Sequence, residues 1–305
     1  MRLFLVSMLC YVEGSCESTD PTGVPKFPIL DHISFEAQRS LWLVLSPANV
    51  RNTYTGPIFR LRRGSDNATA DFFADQEGNL SQGFHSAGTS LSKWLRLATP
   101  KGMDSGETAS KVSVAYVLIW YDQSSFGNHA IQATYEFQPI FDTSRLVVKF
   151  KPGNYMVSNL DYPPALKFLE NTIVVRHGEI RNIEGVLFGI RSSREGKNVW
   201  SLCRNSEGGY TGRSWNTDSN FGEYKRGNTI FETFNGEKFS YFINNKLAYN
   251  AQKIGASNDN LRASSMFAVL GDSILGQMLD GDMQFIFGAS SVFNDKDRSI
   301  LGITK

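Results

Sequence analysis

KVSVAYVLIWYDQSSFGNHA, residues 111–130, is the stretch from which this chain is best read. Val112 to Tyr121 is the longest apolar run in the sequence, broken only by Ser113. A run of about ten residues rich in Val, Ile, Tyr and Trp, bounded by turn residues, predicts a buried central strand. It is too short for a membrane-spanning helix, which needs roughly 20 apolar residues. At Asp122 the run gives way to a polar loop that contains Gly127 and ends at His129. A strand that delivers Trp120, Tyr121, Asp122, Asn128 and His129 to one loop is a candidate binding site.

The rest of the composition agrees with a β-protein. The 305 residues allow one large all-β domain or two ordinary ones. With 41% hydrophobic and 20% charged residues the chain can bury a core and is not of disordered type. Its 31 basic and 30 acidic residues leave a net charge of +1. That balance lacks the basic field of a nucleic-acid binder. The 22 Phe, 11 Tyr and 27 Gly point to strands and many turns. Three cysteines, Cys10, Cys16 and Cys203, show no zinc spacing, and a Cys16–Cys203 bridge stays open for a secreted chain.

Residues 1–15 carry Arg2, a short apolar stretch from Leu3 to Val12, and then Gly14 and Ser15. They form either a signal peptide or an N-terminal strand. Cleavage would make Asn67 and Asn79, both in sequons, glycosylation candidates. Residues 16–33 form an irregular leader, and residues 34–305 the folded body. Ser34 to Ser46 is open between helix and strand. A hairpin is expected from Ile58 to Ala74, and a short helix around Ser90 to Ala98. A surface insertion is expected over 100–110, and an apolar, helix-like patch after the Pro-Pro pair near 163–164.

Strands follow at 130–134, 138–141 and 145–151. After residue 171 they are expected at 172–175, 185–190, 199–203, 229–234, 239–243, 246–249, 266–270 and 283–287. Asn244-Asn245 is a tight turn, because Asn tolerates positive φ. A terminal helix opens at Asn294 or Asp295. Many short strands without alternating long helices predict one large antiparallel sandwich, a jelly roll with short helices in its connections.

Two motifs extend this reading. Tyr54-Thr-Gly-Pro-Ile-Phe-Arg-Leu-Arg-Arg-Gly-Ser-Asp66 and Trp120-Tyr-Asp-Gln-Ser-Ser-Phe-Gly-Asn-His-Ala130 resemble paired signatures of concanavalin-like (LamG-like) jelly rolls. The closest subgroup is the arabinofuranosidase B-type catalytic domain, which phage and algal-virus proteins also resemble. The match is specific over residues 50–150 and looser beyond, where Leu279 to Phe287 resembles a penultimate strand. Arg60, Arg62 and Arg63 with Asp66, Asp71 and Asp122 have the composition of a charge network between strands. His129 is expected to be a satisfied loop histidine.

The resemblance implies a Glu nucleophile and an Asp acid/base, which in a retaining glycosidase stand roughly 5–5.5 Å apart. Val186 to Glu195 is the nearest match to the nucleophile segment. It lacks the subgroup's paired cysteines, and Ser192 stands about where the Glu belongs, leaving Glu195 as the substitute. Asp272 in Leu270-Gly-Asp matches the acid. One matching acid without a clear nucleophile favours a non-catalytic module over an arabinofuranosidase.

Such a module would bind a glycan or polysaccharide through aromatic faces and through Asp and Asn side chains. The candidates are Trp120, Tyr121, Asp122, Asn128, Tyr210, Trp215 and Asn216, the last three on an expected long exposed loop, Gly208 to Asn220. Asp280 and Asp282 are candidate calcium ligands; no other cofactor is implied. The alternative is a viral capsid- or fibre-associated structural protein without sugar binding, whose partners would be other virion or cell-surface proteins. An extracellular or virion location accompanies either reading. If residues 1–15 are a signal peptide, intact-mass measurement of the mature protein will show them missing; a full-length mass refutes cleavage.

Overall fold

A computed structural model describes residues 28–80, 84–85, 88–96, 113–160, 170–182, 185–192, 198–214, 217–252, 266–271 and 278–302. The expectations for residues 1–27, 100–110 and 161–169 lie outside these, as does Cys16. The early strands are β1 (Leu41–Leu45), β2 (Phe59–Arg63), β3 (Thr69–Phe73), β4 (Phe84–His85) and β5 (Ala115–Trp120). Then come β6 (Ala130–Ile131), β7 (Ile140–Asp142), β8 (Val147–Phe150), β9 (Met156–Leu160) and β10 (Asn171–Ile180). β11 (Val186–Ser192), β12 (Asn198–Arg204), β13 (Tyr210–Ser214), β14 (Thr217–Phe221) and β15 (Thr229–Phe234) follow. The last are β16 (Lys238–Ile243), β17 (Lys246–Gln252), β18 (Met266–Leu270) and β19 (Gly281–Ala289). Short helices α1 (Phe35–Ser40), α2 (Leu91–Arg96) and α3 (Asp295–Leu301) fill connections.

The strands form an antiparallel β-sandwich. In the first sheet β19 is flanked on one edge by β1 and β8, placed end to end, and on the other by β10. β15, β16 and β17 continue it. In the second sheet β4, β3, β2 and β5 are neighbours, and β6 and β7 share the far edge of β5. The order then runs β6, β9, β18, β11, β12, β13, β14. The β7–β8 pairing joins the two layers.

Alternation decides what lies between the sheets. Phe59 and Leu61 of β2, Val117 of β5, Trp200 of β12 and Tyr210 of β13 meet Val175, Ile230, Tyr241 and Ile286 of the first sheet in one core. The sheets approach closely where Gly212 lies under the Tyr241 ring, with no room for a methyl group. The opposite face of the first sheet is covered too. Val174, Phe231, Phe285 and Phe287 pack there with Ile29, Ile33, Ala37, Phe293 and Leu301. Full burial of each such Phe contributes about 1.5–3 kcal/mol relative to exposure. β15 and β19 are therefore buried along their whole length.

The 111–130 strand differs from expectation in this respect. β5 is central, but only one of its faces is buried, and Tyr116, Leu118 and Ile119 are partly exposed. The ambiguous segment after Ser34 divides into α1 and β1. The Ser34 hydroxyl accepts from the Ala37 amide and donates to Asp297, tying α1 to α3. Asn294 caps α3 through the Asp297 amide, and Asn244 and Asn245 both have positive φ, 50° and 62°, as their turn requires.

Two other differences have a polar cause. β10 runs to Ile180, beyond the expected 172–175, because Arg176 and His177 are satisfied inside it. Arg176 donates to Gln284 and Thr229, and His177 is bonded to the Tyr210 hydroxyl at 2.8 Å. Gly208 to Asn220 is not a long exposed loop. Its described residues form the β13–β14 hairpin, since Tyr210, Gly212 and Phe221 alternate toward the core.

Glu232 of β15 faces the core between the sheets and is 1% exposed. One carboxylate oxygen accepts from the Trp200 indole, and the other has no partner among the described residues. Burial pushes its pKa well above the ordinary range near 4.3. The folded state thus holds a proton that the unfolded chain loses, so stability falls as pH rises from about 4.3 through the raised folded value. Glu232→Gln keeps an acceptor for Trp200 and removes this slope. Thermal unfolding across a pH series should show the variant gaining on the parent toward neutral pH and converging with it in acid; equal slopes would refute the assignment.

Candidate functional site

The polar loop after β5 works inside the molecule. Asp122 Oδ1 accepts from the amides of Val44 and Ser124, and Oδ2 from the Asn128 amide and the Ser124 hydroxyl. Asn128 Nδ2 donates to the Trp42 carbonyl, and Gln123 bonds the Ser46 and Ala48 carbonyls and the Val50 amide. Trp120 is fully buried against Phe59, with ring centroids 5.5 Å apart. Trp120, Asp122 and Asn128 are thereby placed in the interior, where a sugar cannot reach them. His129 Nδ1 accepts from the Asp122 amide, and burial lowers its pKa.

Tyr210 is also interior. Its hydroxyl lies between His177 Nε2 and Asn228 Nδ2, and burial pushes the His177 pKa down to about 4. Asp280 and Asp282 are occupied by arginines, Arg181 on the first and Arg145 on the second, at 2.6 and 2.8 Å. Guanidinium groups supply the positive charge that calcium would bring. Among the described residues no group of three or more His, Cys, Asp or Glu could hold a metal ion. Glu195, Trp215, Asn216 and Asp272 lie outside the described residues.

The surface the structure does build is the outer face of the second sheet. Residues directly opposite in antiparallel strands share a face. One such row passes through Asp71, Arg60, Ile119, Ile131 and Val157. It continues through Val269, Gly189, Ser201, Arg213 and Asp218. An ion pair stands at each end, Arg60–Asp71 at 2.7 Å and Arg213–Asp218 at 3.3 Å. Val269, Gly189 and Ser201 are buried, whereas the β2–β5–β6–β9 portion is open, with Ile131 45% exposed.

Aromatic rings border that open portion. Tyr135 and Phe137 sit in a 3-10 turn between β6 and β7 and are 52% and 37% exposed. Arg62 lies between the Tyr116 and Tyr135 rings, 4.3 Å from each centroid. Phe137 packs on Tyr155, two residues before Val157, with centroids 5.5 Å apart. Buried amides hold the rings in place. Arg62 donates to Gln138 and Asn67, Gln138 to the Gln132 carbonyl, and Gln132 to the Tyr155 carbonyl. Arg62 thus meets amides and rings rather than the expected carboxylates, while Arg63 pairs with Asp66 as anticipated.

At the far side Tyr121, half-buried, donates to Asp71 at 2.8 Å, and Arg60 binds the same carboxylate through two bonds. Burial raises the Asp71 carboxyl, but the bonds from Arg60 and Tyr121 outweigh it and hold the group below the usual carboxylate range. Among the described residues Tyr121 is the one sequence candidate on this open face. Tyr135, Phe137 and Tyr155 are not candidates from sequence, because they lie in short connections between strands. Their signal was Tyr135-Glu-Phe137, two large aromatics in a short connection.

No family model matches the sequence, and no curated protein matches it. Solved structures do match in fold. A GH54 α-L-arabinofuranosidase soaked with a cyclic sulfate inhibitor superposes with TM-score 0.60 at 13% identity, over 85% of this chain and 61% of that one. An arabinofuranosidase complexed with arabinofuranosyl-α-1,2-xylobiose gives 0.59 at 14% identity with the same coverage. The chain therefore spans about three fifths of the length of these enzymes, and at this identity the likeness establishes the fold.

Burial, and then the bond to Asp71, push the Tyr121 hydroxyl up to about 12. Asp71→Asn removes the charge, so the Tyr121 pKa should fall toward the ordinary value near 10. NMR titration of ring-labelled tyrosine checks this, and an unmoved Tyr121 would rule the contact out.

Proposed function

We propose that this chain is a concanavalin-like carbohydrate-recognition module that binds glycan on the open β2–β5–β6–β9 face without cleaving it. The observation that carries the reading is the set of pre-positioned rings, Tyr135 and Phe137 exposed and Tyr155 partly so, beside Ile131 and Val157. Aromatic faces cover the C–H surfaces of sugars, and fixed rings lose little entropy on binding. The fold shared with sugar-processing arabinofuranosidases supports the same class of ligand.

The non-catalytic part of the reading rests on the residues themselves: Ser192 stands where the resembled enzymes carry their Glu, and Glu195 is the nearest substitute.

A glycan array should return binders for the purified protein. Tyr135→Ala and Phe137→Ala should each weaken that binding about 2- to 10-fold, the worth of one aromatic contact, with the fold retained by circular dichroism. Equal affinity in both variants would remove the site. Turnover of 4-nitrophenyl α-L-arabinofuranoside, lost on Asp272→Asn, would overturn the non-catalytic reading.

A further inference from the structure

We infer that the ligand of this face is an extended chain of several uncharged sugar units lying across the strands, not a terminal sugar or an acidic one. The inference rests on the carbohydrate reading above and concerns which carbohydrate the face fits.

Extent is the first argument. From Asp71 to Val157 the row crosses five strands, β3 and the open β2, β5, β6 and β9. Four strand spacings make about 19 Å, much longer than one sugar ring. The rings form two separate stations beside this row, Tyr135 over Arg62 and Phe137 on Tyr155. Each presents a partly exposed surface. A site for a single terminal sugar encloses its ligand in a concave pocket; here the side chains lie along a strand face.

Charge is the second argument. Among the described residues, each charged side chain on the floor of the open face is already engaged within the protein. Arg60 and Asp71 share two hydrogen bonds, and Tyr121 adds a third to the carboxylate. The Arg62 guanidinium is enclosed by two rings and bonded to Gln138 and Asn67. A carboxylate sugar would meet an Arg60 already neutralised by Asp71 and an Arg62 covered by two rings, so it gains little from either charge. Glu136 is exposed in the same turn as the rings and repels an acidic ligand. What the face offers is aliphatic and aromatic surface, with the exposed Asn67 amide at its border. That suits the mixed C–H and hydroxyl faces of neutral sugars.

Calorimetric titration of the full chain with neutral oligosaccharides of one to six units, beside oligogalacturonate and sialyllactose, tests this. Affinity should rise by about tenfold or more from monosaccharide to tetrasaccharide and change little with added salt. Tyr135→Ala and Phe137→Ala should each flatten that rise. A monosaccharide that binds as tightly as the tetrasaccharide overturns the extended-chain inference and leaves carbohydrate recognition standing. Preferred binding of the acidic glycans, abolished by salt, does the same. Failure of every glycan to bind overturns both.

Discussion

The buried carboxylate of Asp122 is the joint on which the sandwich depends. It follows β5 in the second sheet and accepts the Val44 amide from β1 in the first. It also closes its own loop through Ser124 and Asn128. Burial pushes the Asp122 pKa up, while the hydrogen bonds that converge on the carboxylate pull against that shift. Without the carboxylate three backbone N–H groups would be stranded, at about 1–3 kcal/mol each. Gln123 and Asn128 extend the same fastening to the Ala48 and Trp42 carbonyls. The Trp-Tyr-Asp-Gln-Ser motif is therefore a strap between layers, and its spacing answers to that task.

Once the layers are fastened, the two sheets have unequal fates. Over β10, β15 and β19 the first is covered on both faces, by the inter-sheet core and by the terminal segments around α1 and α3, and only toward its edge strand β17 does it become exposed. The second sheet keeps an outer face, and over β2, β5, β6 and β9 that face is open. Arg60 and Asp71 cancel there, Arg62 is covered by rings, and the aromatics are held by a ladder of buried amides from Arg62 to Tyr155. A stable interior and the proposed recognition surface thus occupy opposite sides of the same strands.

Much of the fold was legible in the residues. Alternation marked most strands, Asn244-Asn245 marked its turn, and Asn294 marked the start of α3. The differences share one cause. Arg176 and His177 in β10, and the polar residues of the β13–β14 hairpin, read locally as a strand end or a loop. Inside the protein those groups find partners, His177 with Tyr210 and Thr211 with Asn220. Such partners are distant or unknowable before the chain is folded.

The site was less legible than the fold. Of the aromatic and polar candidates placed by the structure, Trp120, Asp122, Asn128 and Tyr210 turned inward and Tyr121 outward. The sequence by itself determined that this chain makes antiparallel strands, where most of them run, and which turns join them. Those are local properties of periodicity and backbone preference. Only the tertiary structure decided which face of each strand is covered. A two-residue period shows that the faces differ, but burial depends on what another layer places against them. Trp120 and Tyr135 both stand beside polar residues, and only the opposite sheet separates a core tryptophan from an exposed tyrosine.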